Sequence, residues 1–406
     1  MTGTRVRVGP GASWGHVAES LAPSGLAMSS GDYGDVGVGG LATAGGIGFL
    51  ARKFGLTIDH VTAAELVLAD GRIVRADASQ NPDLLWALRG AGGNFGIVTA
   101  FELDAYPVSD VVFAQMLYDA TDAAGLLERW GKLVEAAPRE LTNFLYLSPG
   151  RGGSAPVAQA LTVWADDDTD TDAAVGALTP LLSVAPVLQQ QAQLLPYAAI
   201  VAPHDATHYG GQADPLFSNG FAVHLTPELN EGIAAGLRGA GLRGAATPFV
   251  AIRAVGGAVN DVDPDATAYP HRHQNFNVSS VGADAGRFRA YWDELRPHLD
   301  GLYLSFETDQ RPQRLHDAFG GQTLTRLREL KAVYDPENVF NQNFPITSVL
   351  PDRRKSTRPG CRATPGHGRL HRPPEGRLSE LGSRCARRCV RRPGRAGAAA
   401  RGTGCR

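Results

Sequence analysis

The first 350 residues of this 406-residue chain contain no cysteine. Disulfides and Cys-based metal sites are therefore excluded there, and folding must rest on core burial, for which the segment is long enough. No run of about 18 apolar residues occurs, so no membrane-spanning helix is expected. The opening Met1-Thr2-Gly3-Thr4-Arg5 lacks an apolar stretch of signal-peptide type, and a cytoplasmic location is the expectation. A Gly-x-Ser-x-Gly hydrolase elbow and a phosphate loop ending in Gly-Lys-Ser/Thr are both missing. Residues 351–406 lack Phe, Tyr and Trp altogether, too little apolar surface to offset the entropy of ordering.

That tail holds all four cysteines, and its 15 arginines and Lys355 face only three acidic residues. The remainder carries 23 basic and 38 acidic side chains, so the net charge of −2 conceals an acidic body and a basic tail. Three readings of the tail compete. A zinc site would draw on Cys361, His367, His371, Cys385 and Cys389, but the spacing is unfamiliar and the arginines repel a cation. A basic arm for nucleic acid is disfavoured by the acidic body. The Arg, Gly, Pro, Ala and Cys bias fits best a disordered segment never selected to fold, as in out-of-frame translation of a GC-rich gene. No metal, nucleic acid or membrane partner is expected.

The body alternates element types. Thr4 to Val8 reads as a strand, and Ser13 caps a helix with Trp14, Val17 and Leu21 on one face. Val61 to Leu68 reads as a strand, followed by an Asp70-Gly71 hairpin signal. Asn81-Pro82-Asp83 starts a helix, and Ile97 to Leu103 returns as a strand. After Pro107 the texture changes. Strands are expected at 141–147, 157–164, 217–225, 248–255 and 274–281, with helices at 170–183, 227–237 and 285–298 and a helical stripe from Leu126 to Val134. The sum is an α+β chain with an antiparallel sheet covered on one face by helices.

Two glycine clusters stand out. Val36 to Gly48 holds six glycines in thirteen positions, too many for a regular element. Backbone without side chains can approach a large flat ligand and turn N–H groups toward it. The Gly37-x-Gly39-x-x-Ala42 portion resembles a nicotinamide fingerprint, but no strand precedes it, and that reading is rejected. The second cluster, Gly90 to Gly96, has four glycines in seven positions between a helix and a strand, more than a helix cap requires.

These blocks, in order, resemble the FAD-linked oxidases related to berberine bridge enzyme, of the p-cresol methylhydroxylase-type superfamily. The matching stretches are Gly9-Pro10-Gly11-Ala12-Ser13-Trp14, Val36-Gly37-Val38-Gly39-Gly40, Ala69-Asp70-Gly71, Leu85-Trp86-Ala87-Leu88-Arg89-Gly90 and Gly93-Asn94-Phe95-Gly96-Ile97-Val98-Thr99. Tyr334-Asp335-Pro336-Glu337-Asn338-Val339-Phe340 and Asn341-Gln342-Asn343 look like the family's C-terminal signature. The resemblance covers about residues 4–346. It implies a partial two-lobed flavin-binding domain at 1–107, a substrate domain with a large antiparallel sheet at 108–300, and a return to the flavin domain at 301–346.

The same resemblance implies FAD as cofactor, held by Gly37, Val38, Gly39, Gly40, Gly45, Gly46 and Gly48, by backbone at Gly96 and Ile97, and by Asn343 near the ring. It also implies that the flavin takes a hydride from an alcohol, sugar or natural-product hydroxyl and is reoxidised by dioxygen. Tyr303 is then the catalytic base. The family pattern there is Tyr-x-Asn, whereas this chain has Ser305. The family's first lobe, with its pyrophosphate loop and covalently bonded histidine, would precede residue 1, so the chain is expected to be N-terminally truncated. The usual second anchor, a cysteine, is replaced by Tyr33. An inactive flavoprotein remnant is the alternative. Two further polar groups, His271, His273, Gln274 and Asn275, and His204, His208 with Tyr209, are candidates to face a small-molecule substrate.

Overall fold

The computed structural model describes residues 4–348 apart from 109, 151–153, 169, 203–215, 239–248 and 283. The tail and His204, His208 and Tyr209 lie outside the described residues. The first part of the chain runs β1 (Thr4–Val8), α1 (Trp14–Leu21), β2 (Leu26–Ala27), α2 (Val38–Ala44), α3 (Ala51–Phe54), β3 (Val61–Val67), β4 (Ile73–Asp77), α4 (Pro82–Leu88) and β5 (Ile97–Pro107). Its antiparallel sheet has the order β1-β5-β3-β4, with β2 added beside β5. Helix α1 forms because Trp14, Val17, Ala18 and Leu21 recur at helical spacing and bury together. Gly71, at φ 84°, makes the turn between β3 and β4 that Asp70-Gly71 signals.

One local expectation is corrected. The glycine block does contain a regular element, α2. Val38, Leu41 and Ala42 fall at i, i+3 and i+4 and bury in the core beside Trp14 and Phe95. Burial of that stripe outweighs the poor helix propensity of Gly39 and Gly40.

The middle of the chain builds a second, larger sheet from β6 (Asp110–Asp119), β7 (Leu141–Ser148), β8 (Val157–Trp164), β9 (Val187–Pro196), β10 (Leu216–Ala222), β11 (Phe249–Ala254) and β12 (Phe276–Gly282). All seven strands are antiparallel, in the order β10-β12-β11-β7-β8-β6-β9. Helices α5 (Ala123–Ala136), α6 (Thr171–Leu178), α8 (Pro227–Leu237) and α9 (Ala285–Leu295) cover one face, and a four-residue helix α7 (Tyr197–Ile200) follows β9. Asp122, Asp170, Thr226 and Asp284 cap the four covering helices by accepting backbone N–H groups. Two indoles tie helices to strands. Trp130 Nε1 donates to Asn143 Oδ1 at 2.9 Å, and Trp292 Nε1 donates to Ser280 Oγ at 2.9 Å.

After α9 the chain returns to the first sheet through a segment at 301–313 and α10 (Arg314–Tyr334), two helical stretches joined by a kink at Gly320 (φ 65°). Leu315, Phe319, Leu324, Leu327, Phe344 and Ile346 bury in the same core as Trp14 and Phe95. Lys331 is the anchor of this return. Its fully buried ammonium donates to Asp335 Oδ2 (2.7 Å), Asn94 O (2.7 Å) and Phe340 O (2.6 Å). Asp335 in turn accepts the N–H groups of Val339 and Phe340. The Tyr-Asp-Pro-Glu-Asn-Val-Phe stretch is thus folded around one buried ion pair, which carries Asn343 to the cleft described next.

Candidate flavin and substrate site

The uncovered face of the seven-stranded sheet looks across a cavity of about 1340 Å³ at α2 and the 91–93 loop. The return segment, from Tyr303 to Glu307 with Gln310, Asn343 and Phe344, closes a third side. Part of the wall opposite the sheet is bare backbone. Gly37, Gly40, Gly92 and Gly93 all line the cavity, and a Cβ placed on any of them would meet no protein atom within 4 Å. Open, side-chain-free backbone facing a large cleft is what a flat ring system requires. Asn343, at φ 50°, adds an amide donor for the polar edge of such a ring. The residues present therefore fit the flavin ring of FAD.

The other glycines of the block do different work. A Cβ on Gly45 (φ 149°) would lie 2.7 Å from Tyr303 Cε2, and one on Gly48 would lie 1.9 Å from the Ser30 carbonyl oxygen. Gly46 (φ 89°) packs on Thr57 and donates its N–H to Tyr303 Oη at 3.0 Å. Gly39 abuts Pro10, and Gly96 abuts the Val67 carbonyl, 2.9 Å from where a Cβ would sit. Val38 is wholly buried in the core, and Ile97, at the start of β5, is 59 % exposed away from the cavity lining. Of the ten residues expected to touch cofactor, the structure brings Gly37, Gly40 and Asn343 to the cavity. Gly45 and Gly46 serve the tyrosine instead, and Gly92 and Gly93 join the wall.

Tyr303 is not on a strand. It precedes a single 3-10 turn, is 2 % exposed, and meets Tyr269 and Phe306 edge-on. Asn219 fixes its backbone, accepting its N–H at 2.9 Å and donating to its carbonyl at 2.8 Å. Burial raises the phenol's pKa above its ordinary value; a hydrogen bond with Ser305, the Gly46 N–H and the Arg253 charge offset only part of that rise. Ser305 thus contributes a hydrogen bond at the place where the family pattern has Asn.

Across the cavity stand three polar residues that sequence reasoning missed. Arg253 on β11 donates from Nε to Asp32 Oδ2 at 2.8 Å and from Nη1 to Ser279 Oγ at 3.2 Å. Tyr146 on β7 donates to the same Asp32 oxygen at 3.3 Å. Burial, the largest single effect, disfavours the guanidinium's charge, but Asp32 together with Tyr146 and Tyr303 outweighs it and raises the pKa of Arg253. The signal was available. A lone arginine inside Phe-Val-Ala-Ile-Arg-Ala, an otherwise apolar strand, is a charge that must find a partner when buried.

The His271 cluster does not face the cavity. His271 is buried behind Tyr303, stacked on Phe221 at 4.7 Å with Nε2 3.0 Å from the Ala318 carbonyl oxygen, and burial lowers its pKa to about 4. His273 is exposed and pairs with Asp300, and Asn275 bonds the Val223 carbonyl. Among the described residues no helix is long and apolar enough to cross a membrane, and no cluster of three His, Cys, Asp or Glu side chains is placed to hold a metal.

A bare backbone wall, a buried tyrosine and a sheet-lined cleft define a flavin-dependent oxidoreductase, and comparison with known proteins agrees. Residues 2–77 match the model of an FAD binding domain, and residues 302–347 match the berberine and berberine-like segment. The chain thus joins an FAD binding domain to a berberine-like segment, its relatives are berberine bridge enzyme-like FAD-linked oxidoreductases, and its cofactor is FAD. It is 28 % identical to the xylooligosaccharide oxidase of Thermothelomyces thermophilus, over 82 % of this chain and 72 % of that one. Identity to the (R)-6-hydroxynicotine oxidase of Paenarthrobacter nicotinovorans is 26 %, over 85 % and 78 %. The fold matches that of a chitooligosaccharide oxidase with a TM-score of 0.73, at 24 % identity, covering 85 % of this chain and 79 % of that one. The α+β architecture with its large antiparallel sheet is the one the sequence motifs implied.

Proposed function

We propose that the protein oxidises the hydroxyl of a small alcohol, sugar or natural product to a carbonyl, with dioxygen as final electron acceptor and Tyr303 as the base. Bound FAD supplies the acceptor for the hydride that leaves the carbinol carbon. Gly37, Gly40, Gly92, Gly93 and Asn343 would hold its ring. The chain's own task is the proton on the hydroxyl oxygen. Tyr303 lines the cavity, and its Oη receives the Gly46 N–H at 3.0 Å, which offsets part of the cost that burial puts on the phenolate that must take that proton. The positive charge of Arg253 acts in the same direction, while its pairing with Asp32 keeps the guanidinium fixed in the wall. Oxidases among the relatives support dioxygen as acceptor.

The observation that carries the reading is the convergence of that phenol and the bare backbone wall on one cleft. Tyr303→Phe tests it. The variant should retain FAD and lose turnover by roughly 10²–10⁴-fold, the usual contribution of a positioned base. A Tyr303→Phe protein that turns over at the wild-type rate would remove Tyr303 from the chemistry.

A further inference from the structure

The sheet side of the cavity has a composition that the oxidation chemistry does not require. Three charged side chains line it among the described residues, and each is neutralised inside the protein. Arg253 is paired with Asp32 at 2.8 Å. Glu307 accepts from Arg314 (2.9 Å), from Ser218 Oγ (2.9 Å) and from the N–H groups of Thr308 (2.9 Å) and Asp309 (2.8 Å). The strands themselves present Phe113, Leu161, Leu195, Phe217, Phe249 and Val281. Their polar members are engaged as well. Gln115 accepts the amide of Gln191, and Tyr146 donates to Asp32. Tyr146 and Phe249, stacked on each other at 5.6 Å and 24°, add aromatic carbon to the wall.

Resting on the oxidation reading above, we propose that this wall selects a neutral aryl alcohol: an uncharged aromatic body lies on the sheet, and the polar atoms are confined to the hydroxyl end near Tyr303. An ammonium or carboxylate entering here would shed its hydration and find no unpaired counter-charge. A sugar would bring several hydroxyls to a mostly apolar strand wall whose few polar members, Gln115, Tyr146 and Arg253, already hold protein partners, so most of those hydroxyls would lose water without full replacement. An aromatic ring exchanges water for apolar area, including the aromatic carbon of Tyr146 and Phe249.

Four probes separate these cases: 2-naphthylmethanol, 2-naphthylmethylammonium, 2-naphthoate and cellobiose. The first three share one ring and differ only in the polar group. Each is titrated calorimetrically into the FAD-saturated protein without oxygen. The expected result is saturable binding of the alcohol, at least tenfold tighter than either ion, and no saturation by cellobiose. Phe249→Ala should weaken the alcohol at least fivefold. Phe217→Lys puts an unpaired cation on the wall and should shift preference toward naphthoate. Both variants are compared with wild type by thermal melting, so that a folding defect in one leaves the other to decide. The proposal is overturned if cellobiose or either ion binds as tightly as the alcohol. It is equally overturned if no probe saturates, or if both variants, natively folded, bind all probes as wild type does. Bleaching of the flavin is recorded in the same cell. Binding without bleaching counts against the oxidation reading while leaving the wall's selectivity standing, and bleaching by cellobiose alone does the reverse.

Discussion

Two glycine-to-alanine substitutions in one short segment should act in opposite ways. Gly40 is exposed in the interior of α2 with open space where a Cβ would project. Alanine there meets no protein atom and gains helix propensity, so the cofactor-free protein should be more stable by about 0.5–1 kcal/mol. The same methyl protrudes into the cavity where the ring would rest. Overfilling a close contact costs about 1–3 kcal/mol, so FAD affinity should fall by roughly 5- to 150-fold. Gly48 is the reverse case. Its Cβ would stand 1.9 Å from the Ser30 carbonyl oxygen, a separation no Cβ tolerates. Gly48→Ala should therefore lower the stability of the cofactor-free protein by at least about 1–3 kcal/mol, as backbone segments are forced apart. Thermal melts without FAD and fluorescence titrations with FAD measure both quantities. A Gly40→Ala protein that binds FAD like wild type, or melts as low as Gly48→Ala, would refute the division of the block into a bare wall and a packed buttress.

The buried His271 makes the protein acid-sensitive. Its folded pKa of about 4 lies below the ordinary 6.5, so the unfolded chain binds the extra proton between those values. Stability from this group is complete above about pH 6.5 and is lost as pH falls toward 4, a total of roughly 3 kcal/mol. Chemical denaturation at pH 7 and pH 4.5 checks it, with His271→Gln showing a flatter dependence. Lys331→Met leaves Asp335 buried without its cation and should destabilise by about 3–5 kcal/mol. It should also weaken FAD binding, because the loop that carries Asn343 loses its anchor at Phe340. Denaturant melts and FAD titration of that variant decide the point, and an unchanged melt would contradict the role given to the ion pair.

Much of the fold could be read where one period dominates. The helical stripe of α5 and the strand-like runs of β7 and β8 were visible because they are rich in the apolar residues that pack in the core. Strands β6 and β9 were not. Strand β9 is a mostly exposed edge strand rich in glutamine, so no buried face imprints a pattern on Val187–Pro196. Helix α2 was missed because its glycines argue against a helix locally and only tertiary burial of Val38, Leu41 and Ala42 favours one. At the site, composition marked the glycine block but not which glycines face a ligand. That depends on what lies opposite each Cα: Tyr303 for Gly45, open cavity for Gly40. The pairing of Asp32 with Arg253 joins residues far apart in the chain and needed the folded sheet to appear.

A crystal structure of the protein grown with FAD tests the central claim most directly. Planar density lying against the Cα atoms of Gly40 and Gly93, on the same cavity as Tyr303, is the expected result. A ring bound elsewhere, with that cavity filled only by water, would contradict the account.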